Sequence, residues 1–360
     1  MFMRVSVKSV LLGGVIAACA GGQALADGPV LYDGYKVPHD SLGRPDLTGL
    51  WDNGTITPFE RKIEYGNRLV MTPQEVAAVE GRVAAVNALA AKPTDPKATV
   101  KDLPADCSDG RGKGCNYNSA WTDPGTTIMR VHGEPRTSIV TTPDGLVPVN
   151  LNGKRIGRGP MSEGEESQVS LQPGDARPDP PGMNDNPETR GLSERCITFQ
   201  SAVMRSSIYN NNHAIQQSEN FVAIESEMIH EARIVRLNSK HRTDGIKQLG
   251  GDSIGWYEGD TLVVETIGLD PRQRQYMGGS DQLKVTERFT RVSPTRLYYA
   301  FTIEDPKTWA KPWGGEYEFT TSRGLYEYAC HEGNYGLPDI LSGARAEEAQ
   351  AKLKKGNSGG

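Results

Sequence analysis

Five runs in the second half of the chain, 220–236, 261–268, 283–293, 296–304 and 315–321, are rich in β-branched and aromatic residues, with turn signals and no helical pattern between them. Glu258-Gly259-Asp260 and Ser293-Pro294-Thr295 read as hairpin connections. Strands joined by short links pair antiparallel, because a parallel pair needs a long crossover. Such a sheet must close on itself or stack on a second sheet to bury its apolar face. The expected fold is therefore mainly β, an antiparallel meander closing into a barrel or packing as a sandwich. Composition agrees: 41 glycines and 23 prolines are 64 of the 360 residues, about 18% against an average near 12%. A long helical bundle would not carry so many turn formers.

The first half reads as an elaboration of that core. Thr72 is placed to cap a helix, Pro73 suits its first position and Glu75 completes a capping box. Val76, Val79, Val83 and Val86 then give an apolar face to about Ala91. Arg136–Val140 and Val147–Leu151 are short strand candidates around Pro143-Asp144-Gly145. Residues 152–194 hold Pro173, Pro178, Pro180, Pro181 and Pro187 and few core formers, which predicts a long surface excursion. From Gly343 a short helical run leads into a polar tail. One β-rich domain over 27–342 is expected, followed by a short helix and flexible tail over 343–360.

Alternation along a strand assigns side chains to faces. On the first run Val222, Ile224, Met228, Ala232 and Ile234 share a face with Ser226 and His230, and Glu225, Glu227, Glu231 and Arg233 take the other, solvated face. Glu265 falls with Val263 and Ile267, and Glu287 with Leu283, Val285 and Phe289. His230, Glu265 and Glu287 are thus three titratable groups on the apolar faces of adjacent runs. Burying them is costly unless they are partnered, so they are expected to meet one another or other polar groups. Such a cluster has three uses: a structural network, acid–base chemistry, or a divalent-metal site of one His and two carboxylates. No other cofactor is expected. His331, next to Cys330, is a further catalytic candidate.

The stretch Tyr209-Asn210-Asn211-Asn212-His213 packs hydrogen-bonding groups together, and Tyr209, Asn211 and His213 are candidate ligand-binding residues. Trp256 and Tyr299 are candidates for an apolar pocket, alongside Tyr317, Tyr326 and Tyr328. Turn formation and core packing are the alternative uses of these residues. The chain has no GxSxG, Walker or dinucleotide motif, and a net charge of −5 does not suit an electrostatic nucleic-acid binder. The expected partner is a small apolar molecule.

Residues 1–26 read as an export signal, with Arg4 and Lys8 ahead of an apolar stretch too short to span a bilayer, and Ala24-Leu25-Ala26 before Asp27. Ile16-Ala17-Ala18-Cys19 offers a second reading, a lipobox that would anchor Cys19 to a membrane. Cleavage at Asp27 places the protein in the periplasm or outside the cell; lipidation would tether it. Beyond Asp27 four cysteines remain, Cys107, Cys115, Cys196 and Cys330, an even number that predicts two disulfides. The most economical pairing is Cys107–Cys115 and Cys196–Cys330. A zinc site is the alternative, with no CxxC spacing to support it.

Gly49-Leu50-Trp51 resembles the GxW opening of lipocalin-like barrels, in which the Trp closes one barrel end. That family includes carriers and enzymes of hydratase or isomerase type. Glu227-Met228-Ile229-His230-Glu231-Ala232-Arg233, Gly251-Asp252-Ser253, Trp256–Thr266 and Tyr328–Tyr335 resemble a family of exported bacterial proteins of undefined activity, which implies export and a shared fold. The combined expectation is a lipocalin-like barrel around a small apolar ligand. His230 would act as proton shuttle, with Glu265 and Glu287 orienting it or acting as the second acid or base. A binding or carrier protein, or an envelope lipoprotein, is the alternative.

Overall fold

The computed structural model describes residues 29–90, 97, 123–155, 182–199, 202–272 and 279–357. The signal segment with Cys19, the Cys107–Cys115 loop and the excursion over 156–181 lie outside the described residues. In chain order the strands are β1 (Gly49–Asp52), β2 (Arg130–Val131), β3 (Glu134–Pro135), β4 (Asn212–Gln217), β5 (Phe221–Ser226), β6 (Glu231–Leu237), β7 (Asp252–Glu258), β8 (Thr261–Ile267), β9 (Lys284–Ser293), β10 (Arg296–Glu304) and β11 (Trp313–Thr321). Nine of them close into a barrel in the order β1-β11-β10-β9-β8-β7-β6-β5-β4, with β4 returning to β1. An odd number of strands cannot alternate direction all the way round. The mismatch falls between β6 and β7, the one parallel pair of the barrel, whose connection spans 238–251.

The interior is filled by the protein's own side chains. Leu262, Phe289, Tyr299, Tyr317 and Phe319 have no solvent exposure. The Tyr299 ring lies 5.0 Å from Phe289, 5.2 Å from Phe319 and 6.1 Å from Phe301. Trp51 is buried on β1, where its Nε1–H donates to the Leu47 carbonyl at 3.1 Å and the Arg291 guanidinium lies 5.4 Å from its ring. Both hairpins form where the turn residues predict them, Glu258 opposite Thr261 and Ser293 opposite Arg296.

The run 220–236 does not form one strand. It folds into the hairpin β5–β6, with Ile229 and His230 at φ 57° and 38° in the turn. The reversal inverts the face assignment beyond it: Arg233, Val235 and Leu237 turn inward, and Ile234 is 51% exposed. Three barrel strands, β1, β4 and β7, lie outside the five expected runs. Arg136–Val140 and Val147–Leu151 are not strands; Arg136 and Val140 form only isolated bridges, to Val70 and Gly315.

Helix α1 (Pro73–Ala90) starts as its cap predicts: the Glu75 amide donates to Thr72 Oγ1 at 3.3 Å and the Thr72 amide to Glu75 Oε2 at 2.7 Å. Its apolar face docks over its first two turns, Val76 and Val79 beside Tyr65, Met71 and Ile128, and Val86 is exposed. Helix α2 (Gly336–Asn357) begins seven residues before Gly343 and is longer than the short run expected there. Among the described residues no helix is long and apolar enough to cross a membrane.

Candidate functional site

The three residues expected to meet are held apart. His230 is exposed in the β5–β6 turn. Glu265 shares its face with Val263 as predicted, but that face is the outer wall, where His241 Nε2 lies at 3.1 Å and Lys284 Nζ at 3.5 Å. Glu287 points inward, opposite Val264 and Phe301, with no exposure. One strand wall therefore separates the two carboxylates, and His230 belongs to neither face. This excludes a shared acid–base cluster and the His230/Glu265/Glu287 metal site. His331 is exposed beside the disulfide, and Trp256 faces outward, donating to Glu258 at 2.8 Å.

Glu287 is partnered instead by a residue expected on the solvated face. Arg233 Nη1 and Nη2 donate to its two oxygens at 2.5 and 3.0 Å, and the Tyr299 hydroxyl donates at 2.8 Å. The Met204 amide completes the chain by donating to Tyr299 Oη at 3.0 Å. Burial, and then the Glu287 charge, push the Tyr299 hydroxyl well above the ordinary tyrosine range. Burial alone would lower Arg233, and the facing carboxylate holds it up. Glu287 and Tyr299 have no exposure and Arg233 little, so the network locks the core. His213 sits nearby with Nδ1 2.8 Å from Ser226 Oγ, and Phe319 stacks on it at 5.9 Å. Burial, and then the Arg233 charge, push its imidazole down to about 3. It is a neutral core histidine, away from solvent.

A cleft of about 970 Å³ lies at one end of the barrel. It forms where β1 ends, β4 begins and β5 ends, with Asp52 opposite Asn212 and the Glu227 amide bonded to the Asn212 carbonyl at 2.9 Å. Tyr209 and Asn211, expected ligand residues, line it together with Asp52, Asp123, Glu227, Tyr326 and Tyr328. The three asparagines divide their work. Asn210 and Asn212 donate to the two oxygens of Glu227 at 2.5 and 2.7 Å, and the Tyr326 amide adds a third donor at 3.2 Å. Asn211 clamps the wall, accepting from the Ser207 amide at 2.7 Å and donating to the Asp123 carbonyl at 2.8 Å. Cys196 and Cys330 are bonded as expected and form part of the lining.

Asp52 differs from Glu227 in having one near donor, the Gly54 amide at 2.7 Å. Burial raises its carboxyl above the ordinary range, and the charges of Asp123 and Glu227 raise it further. Gly125 lets the loop that carries Asp123 pack against the backbone that follows Asp52. Its φ is +89°, and a Cβ there would lie 2.7 Å from the Gly54 carbonyl carbon. Asp52 and Asp123 carry no sequence signal of their own, and Glu227, which heads one of the stretches resembling exported bacterial proteins, was expected on a solvated face. Among the described residues no group of three His, Cys, Asp or Glu is placed to hold a metal ion. The chain matches no protein-family model, no curated protein and no solved structure, so the site is defined by its own geometry.

Proposed function

We propose that the protein is an exported small-molecule enzyme working by proton transfer, with its substrate in the barrel-end cleft and Asp52 as the acid. The observation that carries this reading is the Asp52 carboxyl, raised by burial and two neighbouring carboxylates while it faces a cleft of about 970 Å³. A carboxyl whose proton is held above the ordinary carboxylate range is a better-matched acid toward a bound molecule, as hydratases, lyases and isomerases require. Tyr209, Tyr326 and Tyr328 supply ring faces and hydroxyls, which suits a ligand with a cyclic, partly apolar body. Glu227 is held in place by three donors and serves as an anchor. The aromatic filling of the barrel moves the expected ligand from the interior to its end. The Cys196–Cys330 bond supports export, since such bonds persist in oxidising compartments.

The rival is a carrier, favoured by the isolation of Asp52 from His213, which is locked in the core. Molecules released from the purified protein by denaturation, identified by mass spectrometry and offered back, separate the two. The enzyme reading expects turnover by wild type, with Asp52→Asn binding within a few-fold and turning over about 10²- to 10⁴-fold more slowly. The wild-type rate should fall as pH rises through the raised Asp52 value. Undiminished turnover by Asp52→Asn would overturn the assignment, and binding without turnover by either protein would make it a carrier.

A further inference from the structure

Asp52 and Asp123 line a second compartment. A cavity of about 250 Å³ lies against the same two residues, with Thr126, Thr127, Thr320 and Arg296 in its walls. The volume equals that of about eight waters, room for one substituted six-membered ring. Its chemistry differs from that of the cleft. The cations at its edge are paired, Arg296 with Glu318 at 3.0 Å and Arg130 with Glu80 at 2.9 Å, so the lining suits hydroxyl groups better than an anion. The cleft offers tyrosine rings. Two compartments of unlike chemistry thus share two acidic residues, Asp52 and Asp123.

We propose that the substrate is a glycoside, with its hydroxylated ring in the small compartment, its apolar or aromatic part in the cleft and the bridging oxygen over Asp52 and Asp123. This inference rests on the function proposed above and names its substrate class. The carboxyl of Asp52 gives its proton to the bridging oxygen as the bond from that oxygen to the sugar carbon breaks. The Asp123 carboxylate takes a proton from a water whose oxygen bonds to the same carbon. One water is consumed, a free sugar and a free alcohol or phenol leave, and the two carboxyls re-equilibrate with solvent.

The test uses a panel of p-nitrophenyl glycosides, with p-nitrophenol and the free sugars as the separate halves, measured by calorimetric binding and nitrophenolate release. Thr126→Trp fills the small compartment from an exposed loop position, and Tyr326→Ala removes a wall of the cleft. At least one glycoside should bind tenfold or more tightly than either half. Thr126→Trp should lose that advantage while keeping nitrophenol affinity, and Tyr326→Ala should weaken both. Wild type should release nitrophenolate, and Asp52→Asn should bind without releasing it. If nitrophenol binds as well as every glycoside and Thr126→Trp changes nothing, the two-compartment substrate is wrong while the cleft reading stands. Binding of a glycoside without release by wild type overturns the cleavage step. No binding of any probe overturns both.

Discussion

His213 shows what a single buried position imposes. Burial, and then the Arg233 charge, push its imidazole down to about 3 in the fold, against 6.5 when unperturbed. As pH falls below 6.5 the unfolded chain takes up a proton there that the folded chain refuses. Stability from this site is therefore fully present above 6.5 and is lost as pH falls toward 3, at up to roughly 1.4 kcal/mol per pH unit. Denaturation midpoints measured from about pH 7 to about pH 4 should fall in wild type and fall less in His213→Leu; equal slopes would contradict this. The Arg233–Glu287 pair makes a sharper prediction. Arg233→Leu leaves a carboxylate with no exposure and no counter-charge, a loss of about 3–5 kcal/mol in urea denaturation, and the double variant Arg233→Leu/Glu287→Leu should recover most of it. If the double variant is as unstable as the single one, packing rather than charge governs the site.

At the scale of elements, the turn Glu227–His230 matters most. It divides a 17-residue run into β5 and β6, reverses the face assignment after it and places Glu227 in the cleft. The length of the run was itself a signal, since strands usually span about 3–10 residues. No turn former marks the break, however: the sequence there is Glu-Met-Ile-His, held in left-handed geometry at Ile229 and His230 by what surrounds it. Helix α1 is the opposite case, legible because its cap is local chemistry. Thr72→Ala should cost about 1 kcal/mol by thermal denaturation, and no loss would show that docking of Val76 alone fixes the helix start.

Across the whole molecule, Cys196–Cys330 ties segments 134 residues apart at the edge of the cleft. Closing a loop of that size stabilises the fold by about 5 kcal/mol on the chain-entropy account. Cys196→Ser should lower thermal stability accordingly, and it should weaken ligand binding through the loosened Tyr326–Tyr328 wall. A variant with unaltered binding would show that the barrel rim alone shapes the cleft. If the export reading holds, mass analysis of the mature protein should find Asp27 as its first residue; a lipidated Cys19 would make it an envelope lipoprotein. Alternation, turn residues and local capping chemistry were sufficient to read from the sequence a mainly β chain, its two hairpins and the cap of α1, because each depends on neighbours in the chain; cysteine parity allowed three pairings, of which Cys196–Cys330 with Cys107–Cys115 was the most economical. Which face of β8 is the outer wall, that Arg233 rather than His230 meets Glu287, and that Asp52 and Asp123 line one cleft were decided by the tertiary structure, through the β5–β6 turn and closure of the barrel. Closure joins strands that are far apart in sequence, and with that turn it determines which polar groups lose water and which partners they find.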